Sequence, residues 1–367
     1  MSSGATIHAT AAAPRAAWID LLGRAVNPSI YLHPDLAGDD GAVIYTRSDD
    51  AGLGALAVLA PRRVRLSRLP GLRDVLVLDG RRLVGDRVLG AGDDADAAGF
   101  LDQATAMLER GLAECLQLED VEVGSPLWRQ AIALSRSGRA RLLQPSAPQP
   151  HWWIRFPRAR ADYWRHMSSR TRNTLRRKVK KLEHRLVICR APDQVPGFLA
   201  AAHAVSRHTW QSRRLGLRIQ NSEGERRMLS ALAERGALRS YLLEHAGQPV
   251  AFLLGVEDGD TFRYEEVGFH EQLAASSPGT VLLVRALDDL IAAGPARVDF
   301  GAGDAPYKQL FATHRTESGP LLLVSRHLRP SALVAIERAV RAADGAARGL
   351  LRRAGIYQQV RRLYRRS

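Results

Sequence analysis

The stretch from Ser276 to His314, SSPGTVLLVRALDDLIAAGPARVDFGAGDAPYKQLFATH, sets two small-residue turns at the ends of apolar elements. Ser-Pro-Gly precedes a helix-like run, and Gly-Ala-Gly-Asp follows a strand-like one. Turns of this kind can let a phosphate approach the backbone closely. Glycine has no Cβ in the way, and a helix N-terminus presents unpaired N–H groups at its positive end. Ser277 is expected as the N-cap and Pro278 as the first helical residue, with Val281, Leu282, Val284, Leu287, Leu290 and Ile291 forming the packed face. After the second turn, Lys308 could neutralise a phosphate, Asp299 and Asp304 could orient it or meet an acceptor, and Asp304 is also a ready helix cap.

The common nucleotide motifs are absent. No G-x-x-x-x-G-K-[ST] occurs, and GAGDAP lacks the third glycine of the dinucleotide fingerprint. Cys115 and Cys189 stand alone, which argues against a disulfide scaffold and against a cysteine metal site, so no metal is expected and a reducing compartment fits. The 367 residues, 46% hydrophobic, suit a globular chain about two domains long. The N-terminus shows no basic segment followed by a sustained apolar run, and no stretch approaches the roughly 18 apolar residues of a membrane span. A soluble, cytoplasmic protein is the expectation.

The net charge of +15 is local. His151 to Arg190 holds thirteen Lys and Arg against Asp162 and Glu183, and Ser325 to Ser367 holds eleven Arg against Glu337 and Asp344. In YWRHMSSRTRNTLRRKVKKLEHRL, Ser168 or Ser169 is the expected helix cap, and Leu175, Val179, Leu182 and Leu186 make one apolar face beneath the cations. The C-terminal LLRRAGIYQQVRRLYRRS is similarly amphipathic. Such faces are either solvated or attract an anionic partner; peripheral contact with an anionic membrane surface is expected ahead of nucleic acid.

The elements behind these turns alternate in type. The first 150 residues carry a helix at AAWIDLLGRAV, strands at GAVIYT and GALAVLAP, a helix from about Asp96 to Cys115, and a strand in LQLEDVEV. The Pro-rich start of LLQPSAPQPHWWIRF marks a boundary. Beyond it come helices, then strands in LRSYLLEHAG, QPVAFLLGVEDG and TFRYEEVGFH, whose hairpin glycines predict an antiparallel meander, then a helix over Pro278 to Ala293 and the strand ARVDFG. The order predicts a mixed α/β (α+β) fold with mostly antiparallel sheets flanked by helices, not a doubly wound nucleotide fold. The expected domains are 1–150, 151–330 and a basic helical tail, 331–367.

Four separated segments, MSSRTRNTLRRKVKKLE, LAERGALRSYLLEHAGQPVAFLLGV, SSPGTVLLVRALDDL and VDFGAGDAPYKQLF, in that order and spacing, together resemble the CelD-like acetyltransferase family of the GNAT superfamily. The resemblance covers about His151 to Val324; residues 21 to 130 resemble, more weakly, the degenerate first half of such proteins. It implies tandem GNAT domains related to Fem-type peptidyltransferases. It also implies acyl transfer from acetyl-CoA or another acyl-CoA to an amine or hydroxyl, often in polysaccharide production.

On that resemblance FRYEEVGFH is the strand that splays from its neighbour, and the loop from Ala274 to Thr280, with Ser277, Gly279 and Thr280, holds the CoA pyrophosphate. This loop departs from the usual Gln or Arg followed by Gly-x-Gly or Gly-x-Ala. Backbone N–H groups from Val267 to Phe269 polarise the thioester carbonyl, and Tyr307 protonates the leaving thiolate. The base is Glu265 or Glu266, since only one of two adjacent strand residues is expected to face the cleft; His270 is the alternative. Arg207 to Asn221, with Trp210 to stack on a sugar, is the candidate acceptor loop. A Fem-type transferase using charged tRNA and a non-catalytic binding protein on the same fold remain the other readings.

Overall fold

The computed structural model describes residues 5–9, 14–25, 29–37, 41–49, 52–67, 69, 71–90, 93–209 and 219–353. The chain runs β1 (Ala5–Ala9), α1 (Arg15–Arg24), α2 (Pro34–Ala37), β2 (Val43–Asp49), β3 (Gly52–Arg65), β4 (Val77–Leu83), α3 (Asp94–Glu109), β5 (Cys115–Glu122), α4 (Pro126–Ser137) and β6 (Arg141–Leu143). It continues through β7 (Gln149–Arg155), α5 (Ser169–Lys181), β8 (Arg185–Cys189), α6 (Val195–Arg207), α7 (Glu223–Glu234), β9 (Ser240–His245), β10 (Gln248–Asp258) and β11 (Thr261–Phe269). The last elements are α8 (Pro278–Ala293), β12 (Arg297–Ala302), α9 (Pro306–Phe311), β13 (His314–Val324) and α10 (Leu328–Arg353). The expected mixed α/β fold is present, with the meander β9-β10-β11 antiparallel throughout.

One sheet of 13 strands runs through the molecule in the order β1-β2-β3-β4-β5-β13-β7-β12-β11-β10-β9-β8, with β6 paired beside β13. Its two parallel pairs are related by internal repetition. β4 meets β5 over Gly80–Arg82 and Cys115–Gln117, and β11 meets β12 over Thr261–Arg263 and Arg297–Asp299. Each pair is joined by a short 3₁₀ turn and a 16-residue helix, α3 or α8. β13 ties the two halves together. It pairs with β5 on one side and β7 on the other, and its Leu321 and Leu323 are buried with α3 and α4 in the core of the first half.

Local signals set the helix ends. Ser168, not Ser169, caps α5 by accepting the Thr171 N–H. The expected apolar face of that helix is cut short: Leu175 and Leu182 are buried, but the helix stops at Lys181, and Leu186 sits on β8 opposite Leu243. An edge of β9 is there to be paired, and the ladder outweighs helical periodicity. In the same way the helix expected to reach Cys115 ends at Glu109. Gly111, at φ +73°, turns the chain into β5, where Cys115 is a buried core residue.

α8 is anchored beneath the second half of the sheet. Its Val281, Leu282, Leu283, Ala286, Leu287 and Leu290 are buried with Tyr241, Leu253 and Phe262. Arg239, 5% exposed, pairs with Glu257 and with Asp289 of α8, while the Tyr241 hydroxyl donates to the same Asp289 at 2.9 Å. A buried cation with two carboxylates and a phenol is compensated, and losing one partner would strand the others.

Close approach fixes the first parallel pair. A Cβ on Gly80 would lie 2.4 Å from both the carbonyl oxygen and the Sγ of Cys115. Gly80→Ala should therefore push β4 from β5 and lower stability by about 1–3 kcal/mol, read as a fall in the urea midpoint with an unchanged slope. An unshifted midpoint would show that the approach is not tight.

Candidate active site

The site begins where β11 leaves β12. Pairing stops after Arg263 and Asp299. Two irregularities separate the strands. On β10 the register shifts between Leu254 and Gly255, so that Leu254 faces Glu266 and Gly255 faces Tyr264, leaving Glu265 as the extra residue of a bulge. On the other side β12 shifts register against β7 between Asp299 and Ala302, with Gly301 in the left-handed region at φ +69°. The result is a V-shaped gap lined by Glu265, Glu266 and Val267 on one wall and by Phe300, Gly301 and Tyr307 on the other, a cavity of about 330 Å³.

The bulge overturns the expectation that only one glutamate can face the cleft. Strict alternation would send Glu265 and Glu266 to opposite faces; the inserted residue resets the phase, and both line the cavity. Glu265 Oε1 accepts the Tyr31 hydroxyl at 2.6 Å. Burial, then the charge and hydrogen bond of Glu265, push the Tyr31 phenol well above its ordinary pKa. Tyr31 comes from the first half of the chain. Its turn is fixed by the Ile30 N–H, which donates to Asp258 at 2.6 Å, and by Arg263, whose guanidinium lies 5.8 Å from the Tyr31 ring and pairs with Asp258 at 2.9 Å.

The backbone of β11 carries the other expected feature. The His270 N–H donates to Val250 on the β10 side. N–H directions alternate along a strand, so Gly268 shares that side and the N–H groups of Val267 and Phe269 point into the gap. Across it, Tyr307 packs on Tyr264 and Phe300 with ring centroids 5.8 and 6.2 Å away. The Tyr264 and Tyr307 hydroxyls are hydrogen-bonded, and burial holds the Tyr264 phenol well above its usual range, so Tyr264 keeps its proton and steadies Tyr307.

Several expected residues stand elsewhere or act differently. Lys308 is 8% exposed and its ammonium donates to the carbonyls of Gly301 at 3.2 Å and Ala302 at 2.7 Å. It clasps the Gly-Ala-Gly turn and does not reach out toward a phosphate. Ser277 occupies the N-cap position of α8 at φ +56° without a side-chain cap, so its backbone and not its hydroxyl begins the helix. Gly279 is not open space: a Cβ there would lie 3.0 Å from the Phe269 ring. Asp304 accepts from Gln309 at 2.6 Å, while Ala305 holds the cap position of α9. Phe269, Ser277, Gly279 and Thr280 all lie outside the lining of the cavity that holds the glutamates and Tyr307. His270 stacks on His208 at 4.6 Å and lines a different cavity. Trp210, with most of the candidate acceptor loop, lies outside the described residues.

Asp299, already noted in the sequence, is joined in the cleft by residues that the sequence did not single out. A second cavity of about 340 Å³ adjoins the first and shares Asp120, His151, Arg263 and Asp299 with it; Arg87, Asp93, Glu122 and Ser125 from the first half and Arg297, Thr316 and Ser318 from the second form the rest of its polar wall. His151 stands between two carboxylates, with Nε2 2.6 Å from Asp299 and Nδ1 3.2 Å from Asp120. Burial disfavours its imidazolium, but the hydrogen bonds and charges of Asp120 and Asp299 prevail and raise its pKa to about 9. Burial also works against the Asp299 carboxylate, and His151, the Gly301 N–H and Arg297 outweigh it, holding the pKa at about 2. Asp299 Oδ1 accepts that Gly301 N–H at 2.8 Å, which links the imidazolium to the turn that Lys308 clasps. The three members come from β5, β7 and β12, so no local spacing joins Asp120 and His151 to Asp299. Among the described residues no group of His, Cys, Asp and Glu is arranged to hold a metal ion, and no helix is long and apolar enough to cross a membrane.

With this geometry in view, the family pattern described as Acetyltransferase (GNAT) domain matches residues 169–309, the segment that contains α5, the meander, α8 and the Tyr307 turn. Among solved structures the chain is similar to FemX, at 12% identity over 89% of this chain and 98% of that one, with a TM-score of 0.62. It is also similar to a tandem GNAT protein from the clavulanic acid biosynthesis pathway, at 10% identity over 89% and 99% of the two chains and a TM-score of 0.52. A third is L-PGS from Bacillus licheniformis, at 14% identity over 90% and 97% and a TM-score of 0.50. At these identities the likeness is one of fold, the tandem GNAT-like arrangement. No curated protein is matched.

The His151 cluster makes stability depend on pH. The imidazolium's contribution is complete below its unfolded pKa of about 6.5 and is lost as pH rises through about 9. The Asp299 contribution is complete above about 4 and is lost as pH falls through about 2. Urea unfolding of the wild type should lose about 2–3 kcal/mol more between pH 6.5 and 10 than does His151→Gln. Parallel profiles for the two proteins would contradict a charged His151.

Proposed function

We propose that the chain is an acyl-CoA-dependent acyltransferase that moves an acetyl or related acyl group to an amine or hydroxyl of a sugar or polysaccharide-related acceptor. The observation that carries this reading is the gap between β11 and β12, with two carboxylates on one wall and Tyr307 on the other. An unpaired strand edge suits an extended, amide-bearing arm, which can pair with it as a neighbouring strand would. The residues present fit such a donor at its reacting end. A bound thioester supplies an activated acyl carbon; everything else is done by the chain.

The Val267 N–H, on the cavity, donates to the carbonyl oxygen as negative charge develops on it, and the Phe269 N–H, about 6.6 Å further along the strand, is left to pair with the donor's amide arm. Glu265 or Glu266 takes the proton from the attacking amine or hydroxyl, and Tyr31 keeps the Glu265 carboxylate in place. Tyr307 protonates the departing sulfur, steadied by Tyr264. At the first turn of α8 the Gly279 N–H is the backbone donor proposed for the pyrophosphate, since the Thr280 N–H already donates to the Ser277 carbonyl at 3.0 Å. The adjoining cavity, lined with charged and hydroxyl groups from both halves, suits a polar acceptor. A cytoplasmic setting belongs to the same proposal and is consistent with two free, buried cysteines. So does the division into a first half, a catalytic half and a basic tail.

The rival reading, a Fem-type transferase using charged tRNA, draws on the uncompensated cations of α5. Calorimetry with acetyl-CoA and with charged tRNA separates the two, because each reading requires a different donor. In a thiol-release assay with acetyl-CoA against amino sugars and neutral sugars, Glu265→Gln/Glu266→Gln should lower kcat by about 10²–10⁴-fold with little change in acetyl-CoA affinity. Unchanged turnover would remove both glutamates from the chemistry, and charged-tRNA binding without acetyl-CoA binding would replace this function with the Fem-type one.

A further inference from the structure

A larger cavity lies away from the cleft. The trench between α5, α8 and the 3₁₀ segment Arg160–His166 encloses about 560 Å³. Trp164, Leu175, Val179 and Val284 make an apolar floor, and Arg176 and Lys180 stand on the rim. The Trp164 indole hydrogen-bonds to Asp288, which also lines the trench. Arg176, Arg177, Lys180 and Lys181 have no carboxylate partner among the described residues, and all four are exposed along a helix about 20 Å long.

A solvated helix face explains unpaired cations but not an apolar trench beneath them. A nucleic acid would supply phosphates for the rim and nothing aliphatic for the floor. A phospholipid surface supplies both at the same depth, and a Trp at the boundary between apolar and wet surroundings is the residue type that such an interface favours. Long basic side chains can lay their stems over the floor while their heads meet phosphates. We infer that this trench is a docking site for an anionic phospholipid bilayer, with the α5 cations on the headgroup phosphates and acyl carbon entering over Trp164. The inference is independent of the reaction performed in the cleft.

The test uses the full chain with phosphatidylcholine vesicles, with and without phosphatidylglycerol, at about 0.15 M salt. Reversing two cations in Arg176→Glu/Lys180→Glu should lower partitioning onto phosphatidylglycerol vesicles at least about tenfold, whereas Arg338→Glu on the exposed side of α10 should change it less than about twofold. Lipids brominated in the acyl chain should quench wild-type tryptophan fluorescence, and Trp164→Phe should remove that quenched component. Equal partitioning of the α5 variant and the wild type would overturn the site. So would quenching that survives in Trp164→Phe, or a tRNA gel shift abolished by the α5 reversals in a protein that leaves both vesicle types unbound.

Discussion

The parallel ladder between β11 and β12 is only three residue pairs long, and the candidate chemistry depends on its ending there. Were it to continue, the N–H groups of Val267 and Phe269 would be spent on β12 and Tyr307 would have no gap to face. The ladder ends because each strand bends away from the other: β11 at the extra residue Glu265, and β12 at the register shift through Gly301. A bulge costs local pairing and returns a redirected side chain. Here it redirects two, which is how adjacent glutamates come to share one wall.

An opened sheet is stable only if each strand is held from its far side. β11 is held by the meander and by α8, which the Arg239–Asp289 and Tyr241–Asp289 contacts fasten under β9 and β10. β12 is held by β7 and by the chain of hydrogen bonds from His151 through Asp299 to Gly301, with Lys308 closing the turn from below. The first half of the chain contributes on both walls, through Tyr31 on Glu265 and Asp120 on His151. The cleft therefore depends on how the halves meet, and β13, shared between β5 and β7, fixes that meeting.

Sequence periodicity showed the meander, α8 and the strand after it, because these elements are long, apolar and bounded by glycine or proline. The family resemblance, not periodicity, singled out Glu265, Glu266 and Tyr307, which line one cavity; periodicity could not go further. It missed what depends on distant partners. Lys308 reads as a free cation until the carbonyls of Gly301 and Ala302 are seen around its ammonium, and Gly279 reads as room for a phosphate until Phe269 is found against it. His151, Asp120 and Tyr31 carry no local pattern, since each matters only through a residue more than 30 positions away. Leu186 fitted a helical stripe and was taken by a strand because an unpaired edge of β9 lay beside it.

The charges divide in the same way. In the cleft His151 answers to Asp120 and Asp299, Arg263 to Asp258, and Arg297 to Asp299 at 3.6 Å. Burial makes each of these pairs expensive to break and so makes it a positional constraint, not a source of long-range attraction. On α5 the reverse holds. Its Arg176, Arg177, Lys180 and Lys181 are exposed and lack carboxylates, so they fix no geometry, and their field extends about a Debye length into solvent. One chain thus holds its ionisable groups in two regimes, compensated where they fix the geometry of the cleft and uncompensated where they present a field to solvent. The net charge of +15 belongs to the second regime and says nothing about the first.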